Sequence, residues 1–199
     1  MGGFDYDFFY KEKGFAHGPV DDIVKTLADH LPQHSAVLDI GAGDGRHTLY
    51  LAQREHNVTA VDDSQTAINI LEEIARKATL CVAPVRADLT RPETLPLSAF
   101  NAIVCTYVLQ DLSPAQAQTL ATYAREHTIP GGYIAFSSFL GKFRSQILQL
   151  RSDFQNWHTV HHINGHTRAA IDGKLYEKIE VLLQKPTSSA ATPNKEDQQ

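Results

Sequence analysis

One stretch of the sequence, VLDIGAGDGRHTLYLA at residues 37–52, limits the fold more than any other. Val37–Ile40 is a short apolar run with strand character, and Thr48–Ala52 continues with helical spacing. Three of the five residues between 41 and 45 are glycines, so a tight turn joins the strand to the helix. Such a turn lets a ligand approach the backbone, because glycine has no side chain in the way.

The length and composition favour one domain with a single core. The chain has 199 residues, 42% of them hydrophobic, and a formal net charge of −5. No apolar stretch approaches the roughly 18 residues of a membrane span, and acidic residues stand where a secretory signal needs basic ones. Lysine and arginine form no cluster that would attract a nucleic acid. We therefore expect a cytoplasmic monomer or homodimer with neither a nucleic-acid nor a membrane partner.

Strand-like and helix-like runs alternate along the first two thirds of the chain. The pattern predicts strands at 36–40, 58–61, 80–85, 102–106 and 133–137, and helices at 20–31, 46–55, 64–77 and 114–127. This alternation is typical of an α/β protein with a doubly wound, Rossmann-like sheet of mostly parallel strands.

The pattern changes after the fifth strand. A helix is predicted over 141–154, followed by strands at 157–162 and 176–184 that a loop over 163–173 separates. The turn residues Ile171–Lys174 predict that these two strands pair as an antiparallel hairpin, which brings the sheet to seven strands. The domain is predicted to span 20–185, and 186–199 to be a disordered tail because it lacks large apolar residues.

The N-terminal segment, residues 1–19, is rich in aromatic residues. Two interpretations fit this segment. The aromatic side chains can form a lid that closes over a ligand and excludes water, or they can belong to a helix packed against the sheet.

The spacing of the glycines separates two classes of nucleotide-like cofactor. A dinucleotide site needs G-x-G-x-x-G, but Arg46 stands at the sixth position and the last glycine comes one place early. The spacing that is present is acidic-x-G-x-G-x-G, formed by Asp39, Gly41, Gly43 and Gly45. It resembles the first motif of the class I S-adenosylmethionine-dependent methyltransferases. The resemblance implies that Asp39 lies beside the amino-acid end of that cofactor.

Acidic residues follow the next two strands as well. Asp62 ends the second strand, where a Rossmann-like crevice needs an acceptor for ribose hydroxyls, and Asp63 is an adjacent rival. Asp88 and Leu89 follow the third strand. The resemblance implies that Asp88 accepts from the adenine amino group and that Leu89 flanks the ring. Arg46, after the glycines, and Thr106, at the end of the fourth strand, complete the predicted cofactor site.

The cysteines and histidines admit less common roles. Cys81 and Cys105 lie in apolar runs and are interpreted as small buried residues, although Cys105 stands near the place of the nucleophile in cytosine-carbon methyltransferases. The histidines at 158, 161, 162 and 166 suggest a metal site. Neighbouring residues on a strand face opposite ways, however, so no metal is expected.

The likeness extends over about residues 20–185. GAGDGRHTLYLAQREHNVTAVDDSQTAI, VCTYVLQDLSPAQAQTLATYAREHTIPGGYIAF and GHTRAAIDGKLYEKIEVLLQKP resemble the tellurite-resistance methyltransferases, which act on oxyanions of tellurium and selenium. The family's basic pair near the acceptor maps to His166 and Arg168, in the predicted loop before the last strand. Arginine suits a small anion because its N–H groups form a fork.

The expected function is therefore methyl transfer from S-adenosylmethionine to a small molecule or small anion, such as a tellurium or selenium oxyanion. Two alternatives stay open on the sequence. One is a non-enzymatic module that binds S-adenosylmethionine. The other is a nucleotide-dependent oxidoreductase, which the glycine spacing disfavours.

Overall fold

Seven strands form one sheet in the computed structural model, which describes residues 5–13, 18–139, 154–169 and 173–187. The strands are β1 (Ala36–Ile40), β2 (Asn57–Asp62), β3 (Val82–Arg86), β4 (Phe100–Thr106), β5 (Thr128–Phe139), β6 (His158–Arg168) and β7 (Leu175–Gln184). Their order across the sheet is β3-β2-β1-β4-β5-β7-β6. The first five strands pair in parallel, and β7 pairs antiparallel with both β5 and β6. The predicted fold class is confirmed.

Five α-helices accompany the sheet in the described residues. They are α1 (Tyr6–Lys13), α2 (Asp22–His30), α3 (Arg46–Ala52), α4 (Gln65–Lys77) and α5 (Pro114–His127), with 3-10 turns at Pro92–Thr94 and Leu109–Asp111. None of the helices in this part of the chain is long and apolar enough to cross a membrane.

The core consists of two apolar layers, one on each face of the sheet. Successive residues of a strand point to opposite faces, so Val37 packs with α2 and α3 while Leu38 packs with α5. The parallel strands are apolar on both faces for this reason. Cys105 is fully buried in the α5 layer, as predicted for a core cysteine.

Cys81 is exposed, so the prediction that it is buried is wrong. It precedes β3, which lies at one edge of the sheet, and its thiol contacts the Asn57 side chain with Sγ 2.9 Å from Oδ1. An apolar run in the sequence does not reveal that its strand lies at an edge.

The loop predicted over 163–173 is also wrong in its first half, because β6 continues to Arg168. Asn164 and Gly165 favour a turn, yet β7 pairs with β6 over its whole length, and Arg168 lies opposite Leu175. The ladder of hydrogen bonds with β7 overrides the local preference. The predicted helix over 141–154 lies outside the described residues apart from Phe154, and so does the predicted tail beyond residue 187.

A capping box begins α5. The Ser113 side chain accepts a hydrogen bond from the Gln116 N–H, and the Gln116 side chain accepts one from the Ser113 N–H. Ser113→Ala leaves a helix N–H without this partner, so we expect the free energy of unfolding to fall by about 1 kcal/mol. Urea denaturation measures it. Ser98→Ala, an exposed serine, is the control and is expected to change it by less than about 0.5 kcal/mol. An equal effect of both changes would contradict a role for the cap.

Candidate active site

A cavity of about 430 Å³ opens at the carboxyl ends of the parallel strands. It lies where the strand order reverses between β1 and β4, which is where open α/β sheets bind ligands. The turn after β1, the end of β2 and the end of β4 supply Gly43, Asp62 and Thr106 to its lining. Its volume is in the range of small-molecule sites.

The three glycines form the predicted tight turn, and each has a positive φ. Gly43 has φ +56°, and its N–H donates to Asp62 Oδ2 at 2.8 Å. A Cβ at Gly43 would lie 2.3 Å from the Tyr10 hydroxyl oxygen. Gly41 lines the cavity too, whereas a Cβ at Gly45 would lie 2.3 Å from Leu71 Cδ1 of α4. Gly45 thus lets the turn pack against α4.

Asp62 is buried at the floor of the cavity with both carboxylate oxygens engaged. Oδ2 accepts from the Gly43 N–H at 2.8 Å and Oδ1 from the Ser64 N–H at 3.0 Å. Burial raises the pKa of Asp62 to about 6, although the two N–H groups oppose the rise. Asp63 also lines the cavity but is exposed. The structure therefore brings both predicted acids to the site, with Asp62 the deeper.

Asp39 lies beneath the turn and is fully buried. Its Oδ2 accepts from the Thr48 hydroxyl at 2.6 Å, while Oδ1 has no hydrogen-bond partner among the described residues. Burial raises the pKa of this carboxyl. The unpaired Oδ1 offers an acceptor next to the turn.

Of the residues that follow β3, some line the cavity and one does not. Leu89 and Thr90 line the cavity, whereas Asp88 is exposed and accepts from the Thr90 N–H at 2.9 Å and hydroxyl at 2.7 Å. These hydrogen bonds lower the pKa of Asp88. Asp88 thus turns toward its own loop in this structure.

Helix α1 lies across the cavity. The Tyr6 hydroxyl donates to Asp111 Oδ2 at 2.7 Å, and Asp7 Oδ1 accepts from the Ser64 hydroxyl and the Thr66 N–H at 2.9 Å each. The helix therefore bridges the 3-10 turn after β4 and the start of α4. Its aromatic residues Tyr6, Phe9 and Tyr10 line the cavity. This segment is helical and lies where a lid would lie, and its opening stays a prediction.

A polar cluster that the sequence analysis missed lies beside the glycine turn. Asp21 Oδ2 is 3.1 Å from both Arg46 Nη2 and His47 Nε2, and Asp21 Oδ1 accepts from the Tyr107 hydroxyl at 3.2 Å. Burial pushes the pKa of Asp21 up, but the His47 hydrogen bond and the nearby charges of Arg46 and Lys178 outweigh it, so the pKa lies below its usual value. The available signal was that Asp21 and His47 both stand at helix starts.

The predicted acceptor residues lie on β6. His166 is exposed and pairs with Glu177, while its neighbour Thr167 lines the cavity. Adjacent strand residues face opposite ways, so β6 presents Thr167 to the cavity in this structure. Arg168 is the last residue of the strand. Among the described residues, no group of three or more side chains is placed to hold a metal ion.

These features fit S-adenosylmethionine. The close backbone approach at Gly43, the buried Asp62 carboxylate and the apolar Leu89 suit a ligand that carries an amino acid, a ribose and an adenine ring. Asp39 lies behind the turn, outside the cavity lining.

Comparisons with known proteins agree with this fit. A family described as methyltransferase domain matches residues 37–132. The probable S-adenosyl-L-methionine-dependent methyltransferase TehB of Haemophilus influenzae strain 10810 is 30% identical over 129 residues, which is 64% of this chain and 43% of that protein. The chain thus spans less than half the length of the curated relative it matches.

Two solved structures share the fold. The crystal structure of TehB from Haemophilus influenzae has a TM-score of 0.74 at 20% identity. The match covers 90% of this chain and 66% of the TehB chain. The N-methyltransferase NodS from Bradyrhizobium japonicum WM9, in complex with S-adenosyl-L-homocysteine, has a TM-score of 0.66 at 17% identity, covering 82% and 84%. Residues 37–132 therefore match a methyltransferase domain, and the chain resembles TehB, a probable S-adenosyl-L-methionine-dependent methyltransferase, in sequence and in fold.

Proposed function

We propose that this protein transfers the methyl group of S-adenosylmethionine to a small molecule or small anion, and the resemblance to the tellurite-resistance methyltransferases makes oxyanions of tellurium and selenium candidate acceptors. One observation carries the proposal. The cavity at the carboxyl edge joins the glycine turn and Asp62 to a second region that Tyr107, Phe139 and Thr167 line. Donor and acceptor can therefore occupy one continuous cavity.

In this proposal one group of residues holds the cofactor: Asp39, Gly41, Gly43, Gly45, Arg46, Asp62, Asp63, Asp88 and Leu89. Thr106 lines the cavity at the boundary between the cofactor and the acceptor. When bound, the cofactor supplies a methyl group on a sulfonium, whose C–S bond breaks as the bond to the acceptor forms. Asp62 binds ribose hydroxyls and Leu89 flanks the adenine ring. The protein's main contribution is alignment, which can supply about 7–11 kcal/mol of the barrier.

The acceptor half of the cavity combines aromatic and polar side chains. Tyr107 packs on Phe139 with ring centroids 4.9 Å apart, and Phe139 on Tyr176 at 5.0 Å. Arg46 lies with its guanidinium carbon 5.8 Å from the centre of the Tyr107 ring. Helix α1 lines the same cavity through Tyr6, Phe9 and Tyr10, so it can exclude water during transfer.

A product assay tests the proposal. Release of S-adenosylhomocysteine is measured with tellurite, selenite, thiols, small amines and phenols as acceptors, and calorimetry with S-adenosylhomocysteine runs in parallel. Turnover with at least one acceptor is expected. Cofactor binding without turnover of any acceptor would instead support the non-enzymatic binding module. Failure to bind would overturn both.

The basic pair on β6 gives a separate prediction for an anionic acceptor. Arg168→Ala is expected to lower turnover at every working pH, since a guanidinium stays cationic. His166→Ala is expected to lower it as well, because the imidazole N–H can donate a hydrogen bond to the anion. The assay is S-adenosylhomocysteine release, with the exposed Arg76→Ala on α4 as the control. If the β6 variants turn over selenite or tellurite like the wild type, the anion site lies elsewhere.

A further inference from the structure

Three buried side chains form a hydrogen-bonded row that ends at the cavity. The Thr106 hydroxyl lies 3.1 Å from His47 Nδ1, and His47 Nε2 lies 3.1 Å from Asp21 Oδ2. The three come from the end of β4, the first turn of α3 and the residue before α2. All three line the cavity, and each is less than 9% exposed. Water therefore competes little for these hydrogen bonds.

The direction of the hydrogen bonds follows from the chemistry of the partners. A carboxylate only accepts, so Nε2 of His47 carries the proton that Asp21 receives. The Asp21 N–H lies 3.4 Å from Nε2 and would donate to this nitrogen in the opposite tautomer, but that hydrogen bond is longer and the backbone amide is uncharged. With its one proton on Nε2, a neutral imidazole has a lone pair on Nδ1. Thr106 must then donate to Nδ1, which leaves the lone pairs of its oxygen for a ligand in the cavity.

Charged groups from every neighbouring element fix this arrangement. Arg46 on α3 and Lys178 on β7 approach the Asp21 carboxylate at 3.1 and 3.8 Å and keep it ionised. Asp39 on β1 acts electrostatically with His47 from the other side. Glu180 on β7 is buried and lies 3.0 Å from Lys178 Nζ. Asp21 therefore orients the imidazole and stabilises a positive charge on it, as the acid of a catalytic triad does.

We propose that Thr106, His47 and Asp21 form a proton relay, and that the acceptor is consequently a protic nucleophile: a thiol, a phenol or an amine. This inference rests on the proposed methyl transfer and narrows its substrate class. A selenium or tellurium oxyanion attacks through its selenium or tellurium atom. That atom bears no proton, so the relay would have no proton to accept.

The relay moves one proton per methyl transfer. The acceptor atom forms its bond to the methyl carbon, the C–S electron pair stays on sulfur, and the acceptor's proton passes to Thr106 Oγ1. The original Thr106 proton passes to His47 Nδ1. The imidazolium pairs with Asp21 and later returns its proton to solvent. Thr106 is the catalytic residue because it touches the acceptor, and His47 and Asp21 position it.

The first test removes the hydroxyl while keeping the shape. With N-acetylcysteine and phenol as protic probes at pH 7, Thr106→Val is expected to lower kcat by about 10²-fold, the lower limit for general acid–base catalysis. Thr106→Ser keeps the hydroxyl and is expected to restore most of the activity. Thr128→Val, a buried threonine whose hydroxyl bonds to the Ala124 carbonyl outside the cavity, is the control and is expected to match the wild type.

Alkaline rescue separates a relay from a structural role. A cysteine-type thiol ionises with a pKa of about 8.5, so at pH 10 N-acetylcysteine needs no base and Thr106→Val is expected to approach the wild-type rate. His47→Gln is expected to behave in the same way, with the buried His56→Gln as its control. A loss that is equal at both pH values, that Thr106→Ser does not restore, or that parallels weaker binding of S-adenosylhomocysteine would overturn the relay. So would turnover of selenite or tellurite alone, unchanged in these variants.

A second measurement needs no turnover. Nitrogen-15 spectra of the histidine side chains are expected to show His47 protonated on Nε2 and unprotonated on Nδ1 near pH 7, with the Nδ1 signal shifted in Thr106→Val. A proton on Nδ1 would overturn the relay even if methyl transfer is shown. The expected tautomer in a protein that releases no S-adenosylhomocysteine would instead count against the proposed methyl transfer and leave the row of hydrogen bonds intact.

Discussion

Gly43→Val is expected to abolish binding of S-adenosylmethionine and S-adenosylhomocysteine while the sheet stays folded. Gly43 has φ +56°, a conformation that is a true outlier for a β-branched residue. Its Cβ would lie 2.3 Å from the Tyr10 hydroxyl oxygen, at the surface of the cavity. Tyr10 can move because its hydroxyl is the end of a side chain, but the valine methyl groups then occupy the path by which a ligand reaches the turn.

The matched control for this variant is Gly173→Val. Gly173 has φ +68°, so valine there carries a comparable backbone strain of about 1–3 kcal/mol, but a Cβ at this position meets no atom of the described residues within 4 Å. Calorimetry with S-adenosylhomocysteine and thermal unfolding compare the two variants. Both are expected to lose stability, and only Gly43→Val to lose binding. Normal binding by Gly43→Val would place the cofactor away from the turn.

Asp62→Asn is expected to weaken cofactor binding at least about tenfold at pH 7. Hydrogen bonds from the ribose hydroxyls to a carboxylate are worth roughly 1.5–3 kcal/mol, and the amide supplies only one uncharged oxygen. Since burial raises the pKa of Asp62 to about 6, the wild-type affinity is expected to fall as the pH decreases through 6. The affinity of Asp62→Asn is expected to show no such step. Asp63→Asn distinguishes the two adjacent acids, because the rival assignment requires the larger loss there.

The same substitution is expected to change how stability depends on pH. The pKa of Asp62 is about 6 in the folded protein and near the ordinary 3.8 in the unfolded chain, so the folded state binds more protons between these values. The stability of the ligand-free wild type, relative to Asp62→Asn, should therefore fall by about 2–3 kcal/mol as the pH rises from 4 to 7. Urea denaturation at both pH values measures this difference, and Asp29→Asn, an exposed acid on α2, is the control. A difference that rises with pH would show that the carboxylate is stabilised rather than strained by its surroundings.

The sequence by itself determined the sheet and the place of the glycine turn and Asp62 at the cavity. Runs of apolar residues set the parallel strands, because a strand buried on both faces needs them. The glycine turn and Asp62 follow their strands directly, and parallel strands bring their carboxyl ends to one edge. Local pattern and spatial position therefore coincide for these residues, and the place of Asp62 could be predicted. Asp88 also follows its strand, but its hydrogen bonds with Thr90 turn it away from the cavity.

Only the tertiary structure decided the rest. His47 meets Asp21 from 26 residues away and Thr106 from 59, and the packing of α2 and α3 on the sheet brings them together. The position of Asp21 and His47 at helix starts does not indicate which residues they contact. Long-range contacts also decide the structure of β6. It pairs with β7 where the sequence predicts a loop, and Thr167, the neighbour of His166, lines the cavity. The acceptor half of the site is built from such long-range contacts, because its residues are neighbours through packing between elements and not through their order along the chain.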